Sequence, residues 1–260
     1  MMGPVGADFL DYFSGSAGAY ARFRPQYPRV LLARLAELAP GTGCCWDVAT
    51  GSGQAALALA GHFDRVVATD ASPQQIACGV HHPRVEYRVE EAEHSSLEDG
   101  SVDLITVASA LHRFSLAPFY DEVRRVARPG AVLAAWSYGA SIELTPELDA
   151  IIEHHTEVVL GPHWTAAFRH VRSSYRDLAF PFEPIELPPA AITLQWTLDH
   201  VVGAIGTWSA SAIFRAATGR DPAVELRERL AGAWGPDPTR TVQIPLFFRV
   251  GRVHPSSGTG

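Results

Sequence analysis

The 260-residue chain carries 28 acidic against 21 basic side chains, a formal charge of -7, with 47% hydrophobic and 19% charged residues. That length buries one substantial core, and the balance excludes both a disordered chain and a protein built to neutralise nucleic-acid phosphates. Every basic residue is arginine, and the absence of lysine excludes Schiff-base, pyridoxal-phosphate and lysine-dependent dehydrogenase chemistry.

From the N-terminus, Met1 to Phe13 holds Asp8 and Asp11 with no basic lead-in, unlike a secretory signal. Apolar runs are broken by Gly, Arg, Asp or His well before the roughly 20 residues that a membrane span needs. The expectation is a cytoplasmic protein with neither membrane nor nucleic acid as partner. Cys44, Cys45 and Cys78 show no disulfide framework and no CxxC spacing, and the adjacent Cys44 and Cys45, in an apolar run, read as structural.

From Cys44 the chain alternates short apolar runs with helical patterns, the signature of βαβ units and a parallel sheet. A first strand, Cys44 to Ala49, runs into Thr50-Gly51-Ser52-Gly53 and an alanine- and leucine-rich helix over Gln54 to His62. A second strand, Arg65 to Thr69, closes on Asp70, and Ser72-Pro73 caps a helix reaching about Val80. Strands are expected at Val85 to Val89 and Val102 to Ala108, then a helix over Pro118 to Ala127, stopped by Pro129-Gly130, and a strand over Ala131 to Trp136. Beyond Trp136 the alternation weakens. A helical pattern over Pro146 to Leu160 and an Arg-rich aromatic stretch to Phe182 suggest an inserted cap. A strand at Ala191 to Trp196, helices over Asp199 to Ala217 and Pro222 to Trp234, a strand at Thr241 to Val250 and a disordered end from Val253 complete the reading.

In an open parallel sheet the ligand sits outside the carboxyl ends of the strands, where strand order reverses. Gly51 and Gly53 follow the first strand, where missing side chains let backbone approach an anionic ligand beside a helix N-terminus. Asp70 ends the second strand, placed to accept both hydroxyl hydrogens of an adenosine ribose, and Glu91-Ala92-Glu93 follows the third. Gly51-Ser52-Gly53-Gln54-Ala55-Ala56 also satisfies the G-x-G-x-x-A nicotinamide fingerprint, so the turn alone leaves two cofactors open. Asp47, just before the glycines, and the lack of lysine for a Tyr-Lys pair favour methyl transfer.

The run Trp46-Asp47-Val48-Ala49-Thr50-Gly51-Ser52-Gly53-Gln54-Ala55-Ala56 resembles motif I of class I S-adenosylmethionine-dependent methyltransferases, and Ala68-Thr69-Asp70-Ala71-Ser72 their following acidic motif. Ser101 to Thr106, Ala110-Leu111-His112 and Phe119-Tyr120 through Pro129-Gly130 resemble later motifs of the type 11 branch, in the same order. Tyr20 through Pro28 and Trp136-Ser137-Tyr138 resemble the subgroup that includes trans-aconitate methyltransferase-like proteins. The resemblance implies a Rossmann-like α/β fold: a mostly parallel seven-stranded sheet, helices on both faces and a helical cap insertion. One domain is expected over 1–253, with N-terminal cap helices at about 8–40, a cofactor-binding core at 41–140, a cap insertion at 141–185, completion of the sheet at 186–253 and a disordered tail at 254–260.

By the same likeness the cofactor is S-adenosylmethionine, with S-adenosylhomocysteine as product and no metal. Gly51 and Gly53 would face the methionine part, Asp70 the ribose, Glu91 and Ala92 the adenine, and Ala108 the amino group, with Ala49 and Ala71 also at the cofactor and Tyr20 and Arg24 closing over it. The subgroup usually reads Leu-His-Trp-Phe where this chain has Leu111-His112-Arg113-Phe114, so Arg113 replaces an aromatic and the subgroup's substrate does not carry over. His112 is the candidate base or orienting residue. Arg113, Trp136, Tyr138, Trp164 and Tyr175 are candidates for the acceptor pocket, with Trp208, Arg24, Arg169, Arg172 and Arg176 as further supply. The expected partner is a small-molecule methyl acceptor, methylated on a carboxylate or hydroxyl oxygen, by a monomer or homodimer. Rival readings are N- or C-methylation of a natural-product intermediate, a nicotinamide-dependent reductase, and a cofactor-binding protein without methylating activity.

Overall fold

The computed structural model describes Phe23 and residues 25–254. Contacts divide the described residues into a sheet unit, comprising Pro25–Glu143, Ala166–Leu194 and Val242–His254, and a helical unit, comprising Phe23, Leu144–Thr165 and Gln195–Thr241. The stretch read as a 141–185 insertion is thus divided, and much of the stretch read as completing the sheet clusters with 144–165.

In the sheet unit, β1 (Cys44–Val48) is buried along its whole length and pairs in parallel with β2 (Arg65–Asp70) and β4 (Val102–Ala108). A strand flanked on both edges and covered on both faces must be apolar throughout, which is why Cys44-Cys45-Trp46 reads as a continuous run. Next, β3 (Val85–Val89) joins β2 in parallel, and β5 (Ala127–Tyr138) joins β4 in parallel. Beyond β5, β8 (Arg240–Arg252) runs antiparallel and pairs with the two-residue β6 (Glu183–Pro184) and with β7 (Ala190–Trp196). The order β3-β2-β1-β4-β5-β8-β6 reverses between β1 and β4, so their carboxyl ends stand side by side at the switch point. Among the described residues the sheet has eight strands where seven were expected, since β6 is too short to leave a hydrophobic pattern.

Helix α1 (Arg29–Leu38) buries Leu31, Leu32 and Leu35. Short helices α2 (Gln54–Leu59) and α3 (Pro73–Ala77) follow β1 and β2. Helix α4 (Leu116–Val126) presents Phe119, Tyr120, Val123 and Val126 at helical spacing to a core that includes Trp46, Ile105 and Leu133. Strand β5 starts at Ala127, ahead of the Pro129-Gly130 expected to precede it. Val102 pairs with Ala127 and Leu104 with Val132, so the extra residues bulge out, with Gly130 at φ +80°. Val253, read as part of a loose end, is 1% exposed and donates its N–H to the Ala131 carbonyl; residues 255–260 lie outside the described residues.

In the helical unit, α5 (Pro146–His154) passes into a π-helical turn at His155–Val159 where one continuous helix to Leu160 was expected. Helix α6 (Phe168–Arg172) belongs to the sheet unit, whereas α7 (Leu198–Gly206), α8 (Ser209–Thr218) and α9 (Pro222–Trp234) complete the helical unit. Thr145, Thr197 and Asp221 cap α5, α7 and α9 by accepting main-chain N–H bonds, and Gly219 ends α8 in the left-handed region, so these boundaries follow local signals. Leu148, Ile152, Val201, Ile205, Leu226 and Leu230 form the buried faces. Among the described residues no helix is long and apolar enough to cross a membrane.

Candidate active site

The switch point gathers two strand ends of different construction. At the end of β1 the backbone enters the left-handed region at Ala49 (φ +52°), Gly51 (φ +59°) and Gly53 (φ +87°). Ala49 carries a Cβ in that region, an uncommon and costly conformation of the kind that concentrates at functional sites. Glycine serves two different needs in this turn. A Cβ on Gly51 would meet only Gln75 Oε1 at 3.7 Å, so the face of Gly51 is open to a ligand; a Cβ on Gly53 would lie 2.2 Å from the Tyr87 hydroxyl, so Gly53 exists to admit that ring.

Two carboxylates hold the turn. The Gly51 N–H donates to Asp70 Oδ2 and the Ser72 N–H to Asp70 Oδ1, each at 2.9 Å. Asp70 is thereby fixed at the end of β2 with lone pairs left for further donors. Asp47 is 1% exposed, accepting from the Thr50 hydroxyl at 2.5 Å and the Thr106 hydroxyl at 2.7 Å. Burial pushes its carboxyl pKa up to about 6, against the lowering effect of those hydroxyls and the Ala56 main chain. Asp47 thus ties β1, the turn and β4 together from inside.

At the end of β4, Ala108 is followed by Ser109 at φ +57° and a 3-10 turn over Leu111–Arg113. The Ser109 hydroxyl lies 3.1 Å from both the Tyr27 and Ser137 hydroxyls. Tyr27 packs edge-on against Trp136 and tilted against Tyr138. His112 Nδ1 is 2.9 Å from the Tyr175 hydroxyl, and burial, then Arg113 and His170, lowers the imidazole pKa to about 3. His112 is therefore neutral near pH 7, and of the two roles read from sequence the environment favours orientation over proton abstraction. Tyr175 is fully buried, packs edge-on against Phe247, and follows Ser174 in a pair of successive left-handed residues (φ +55° and +59°).

The sheet unit thus brings Ala49, Gly51, Gly53, Asp70, Ala71, Ala108, His112, Arg113, Trp136, Tyr138 and Tyr175 to the ends of β1, β2, β4 and β5. Glu91 is exposed in the turn after β3, closed by a bridge to His94, while Ala92 is buried in the core. Trp136 and Tyr175 are enclosed, each 0% exposed, and line no open surface in this structure. Trp164 belongs to the helical unit, where it packs on Trp208 and donates Nε1–H to the Thr156 carbonyl. Tyr20 and Arg24 lie outside the described residues. Sequence reading missed Tyr27, Tyr87, Thr106, Ser109 and Ser137. Only Tyr27, Thr106 and Ser137 stood within quoted motifs, and nothing local marks Ser109 as left-handed. Among the described residues no group of three or more His, Cys, Asp or Glu is placed to hold a metal ion.

An open glycine face beside a clamped carboxylate is an arrangement that can receive the hydroxyls of a nucleoside. The methyltransferase domain family matches residues 46–135, the stretch from β1 to β5. The chain is 32% identical over 253 residues to a protein from Dictyostelium discoideum assigned as a methyltransferase, covering 94% of this chain and 96% of that one. A solved structure assigned as a type II methyltransferase, from Anaeromyxobacter dehalogenans, is 44% identical with a TM-score of 0.84, over 90% of this chain and 99% of that one. A methyltransferase structure assigned to antibiotic biosynthesis, from Anabaena variabilis, shares the fold at 17% identity and a TM-score of 0.54, over 86% and 98% of the two chains. With a switch-point site of this form and relatives matching along nearly its whole length, the chain belongs to the class I S-adenosylmethionine-dependent methyltransferases.

Proposed function

We propose that the protein transfers the methyl group of S-adenosylmethionine to a carboxylate or hydroxyl oxygen of a small molecule. The observation that carries the cofactor assignment is the Asp70 carboxylate, held by the Gly51 and Ser72 N–H groups beside the open face of Gly51. Asp70 would receive the ribose hydroxyls, Ala49, Gly51 and Ala108 the amino-acid portion, and Glu91 and Ala92 the adenine. The cofactor supplies a methyl group on a positively charged sulfur, already activated for displacement. What remains for the chain is alignment and exclusion of water, which is worth about 7–11 kcal/mol when reacting groups are well placed. Enclosure of Trp136 and Tyr175 and the hydroxyl cluster of Tyr27, Ser109 and Ser137 provide a largely dry boundary with oriented dipoles beside Ala108. An ionised carboxylate needs no base, and a neutral His112 at the end of β4 is compatible with such an acceptor.

Calorimetric titration with S-adenosylhomocysteine and with the oxidised nicotinamide cofactor tests the first part. Binding of the former alone is expected, and Asp70→Asn should weaken it by roughly ten- to a hundredfold, the worth of hydrogen bonds to a charged group. Preference for the nicotinamide cofactor would overturn the assignment. Labelled methyl transfer to a panel of acids, phenols and amines tests the second part; label entering only amines would overturn oxygen methylation.

A further inference from the structure

His112 and Tyr175 are 63 residues apart in sequence and 2.9 Å apart at Nδ1 and Oη. Their surroundings go beyond what packing alone requires. Tyr175 occupies the second of two consecutive left-handed positions, and neither it nor Ser174 is glycine. Holding two such residues costs on the order of 1–3 kcal/mol each, so the turn persists because the fold over-determines it. The Tyr175 N–H bonds the His170 carbonyl, its ring lies edge-on to Phe247 with centroids 5.0 Å apart, and its hydroxyl end reaches the 3-10 turn of His112. The fold has delivered a phenol to His112 Nδ1, with the Ser137 hydroxyl and the His112 main chain also within its reach.

Elementary acidity decides which atom carries the proton between them. A phenol is a stronger acid than a neutral imidazole N–H, and the bare imidazole nitrogen is a stronger acceptor than a phenol oxygen. The favoured arrangement has Tyr175 Oη–H donating to His112 Nδ1, which leaves the ring hydrogen on Nε2. No hydrogen-bond partner for Nε2 is found among the described residues, and Nε2 is not a buried orphan. Both groups are kept neutral by the same enclosure: burial pushes the Tyr175 phenol well above its ordinary range and holds the imidazole far below its own.

We infer that Tyr175 is a positioning residue which fixes His112 as its Nε2–H tautomer, so that His112 acts as a hydrogen-bond donor to an oxygen of the methyl acceptor. The inference rests on the methyltransferase reading above and narrows its acceptor class. The site selects a molecule presenting a carboxylate or carbonyl oxygen to the imidazole, and disfavours one whose hydroxyl proton His112 would have to remove. Arg113, in the same turn, adds a positive charge beside the donor.

Nitrogen NMR of histidine-labelled protein tests this without knowledge of the acceptor, with the His112 signals assigned by their loss in His112→Gln. The Nε2-protonated pattern is expected, without titration across roughly pH 5 to 8, the range in which an ordinary histidine changes charge. An Nδ1-protonated pattern, or titration within that range, would overturn the inference. In Tyr175→Phe the fixed pattern should give way to a mixture of tautomers; an unchanged pattern would count equally against it. Once transfer to a carboxylate is measured, Tyr175→Phe should raise the KM of that acceptor roughly tenfold and leave kcat within a few-fold, the cost of one misaligned hydrogen bond to a charged group. A fall in kcat at constant KM would instead point to a base. Binding of S-adenosylhomocysteine by the same samples reports on the methyltransferase reading separately, so a wrong tautomer in protein that binds it overturns this inference alone.

Discussion

The ends of β1 and β4 lie side by side, yet they are built by opposite means. The β1 end is a backbone device: three left-handed residues, two of them glycine, held by main-chain N–H bonds to Asp70. The β4 end is a side-chain device, in which Tyr27, Ser109, Ser137, His112 and Tyr175 arrive from distant parts of the chain. Backbone geometry suits an invariant cofactor, because it presents the same amides whatever the neighbouring side chains. Side chains suit the acceptor, because they can change without disturbing the turn.

The sharpest break is expected at Gly53. Gly53→Ala places a Cβ 2.2 Å from the Tyr87 hydroxyl and 2.8 Å from the Tyr87 ring, at φ +87°, and the ring also lies against Gly79, where an added Cβ would come within 2.8 Å of it. A stability loss of at least ~2 kcal/mol in urea unfolding and disappearance of measurable S-adenosylhomocysteine binding should follow. Normal binding would show that the turn is not the rigid element described.

The two ends should also respond to acid in opposite senses. His112 has a folded pKa of about 3 against 6.5 for the free side chain, so the unfolded state binds more protons in that window and stability falls as pH drops through it. His155 in the helical unit, buried and lowered to about 4, acts in the same sense. Asp47, raised from 3.8 to about 6, makes the folded state bind more protons, so its contribution improves as pH drops from 6 towards 3.8. Asp47→Asn removes the opposing member. Its stability should fall more steeply than that of the parent between those values, by up to about 1.4 kcal/mol for each pH unit. Parallel curves would mean that Asp47 titrates as an ordinary carboxyl.

The smallest effect isolates what supports the β1 turn from beneath. Tyr87 buries a hydroxyl for which no hydrogen-bond partner is found among the described residues. Tyr87→Phe keeps the ring that fills the space beside Gly53 and should raise stability by about 1 kcal/mol. A loss of similar size would show that the hydroxyl, and not only the ring, holds the turn.

This division also explains what could be read in advance. β1, β2 and β4 were legible because buried strands leave continuous apolar runs, β3 because its half-buried edge position leaves the alternation Val-Glu-Tyr-Arg-Val, and β3 and β4 fall where the sequence put them. Gly51, Gly53 and Asp70 were legible because chain direction and one strand-end rule suffice to place them. The start of β5 was not, because Pro129-Gly130 is a stop signal locally and a bulge once β4 pairs across it. Nor was the π-helical turn after His154, where the helical pattern runs on unbroken while the hydrogen bonds shift. Tyr175 was read as an aromatic for the pocket, whereas its hydroxyl matters through His112, a pairing that no local pattern encodes. Composition placed Trp164 with the other aromatics, but membership of a unit is decided by tertiary contacts.

The distribution of thiols gives the β1 side a practical use. Cys44 and Cys45 are buried in the central strand, whereas Cys78 is exposed at the C-terminal cap of α3, the helix whose first residues are held through Ser72 to Asp70. With three cysteines in the chain and no lysine, a thiol-directed fluorophore or spin label will attach to the native protein at one position. Ligand exchange can then be followed optically from the Asp70 side of the turn, with no engineered residue.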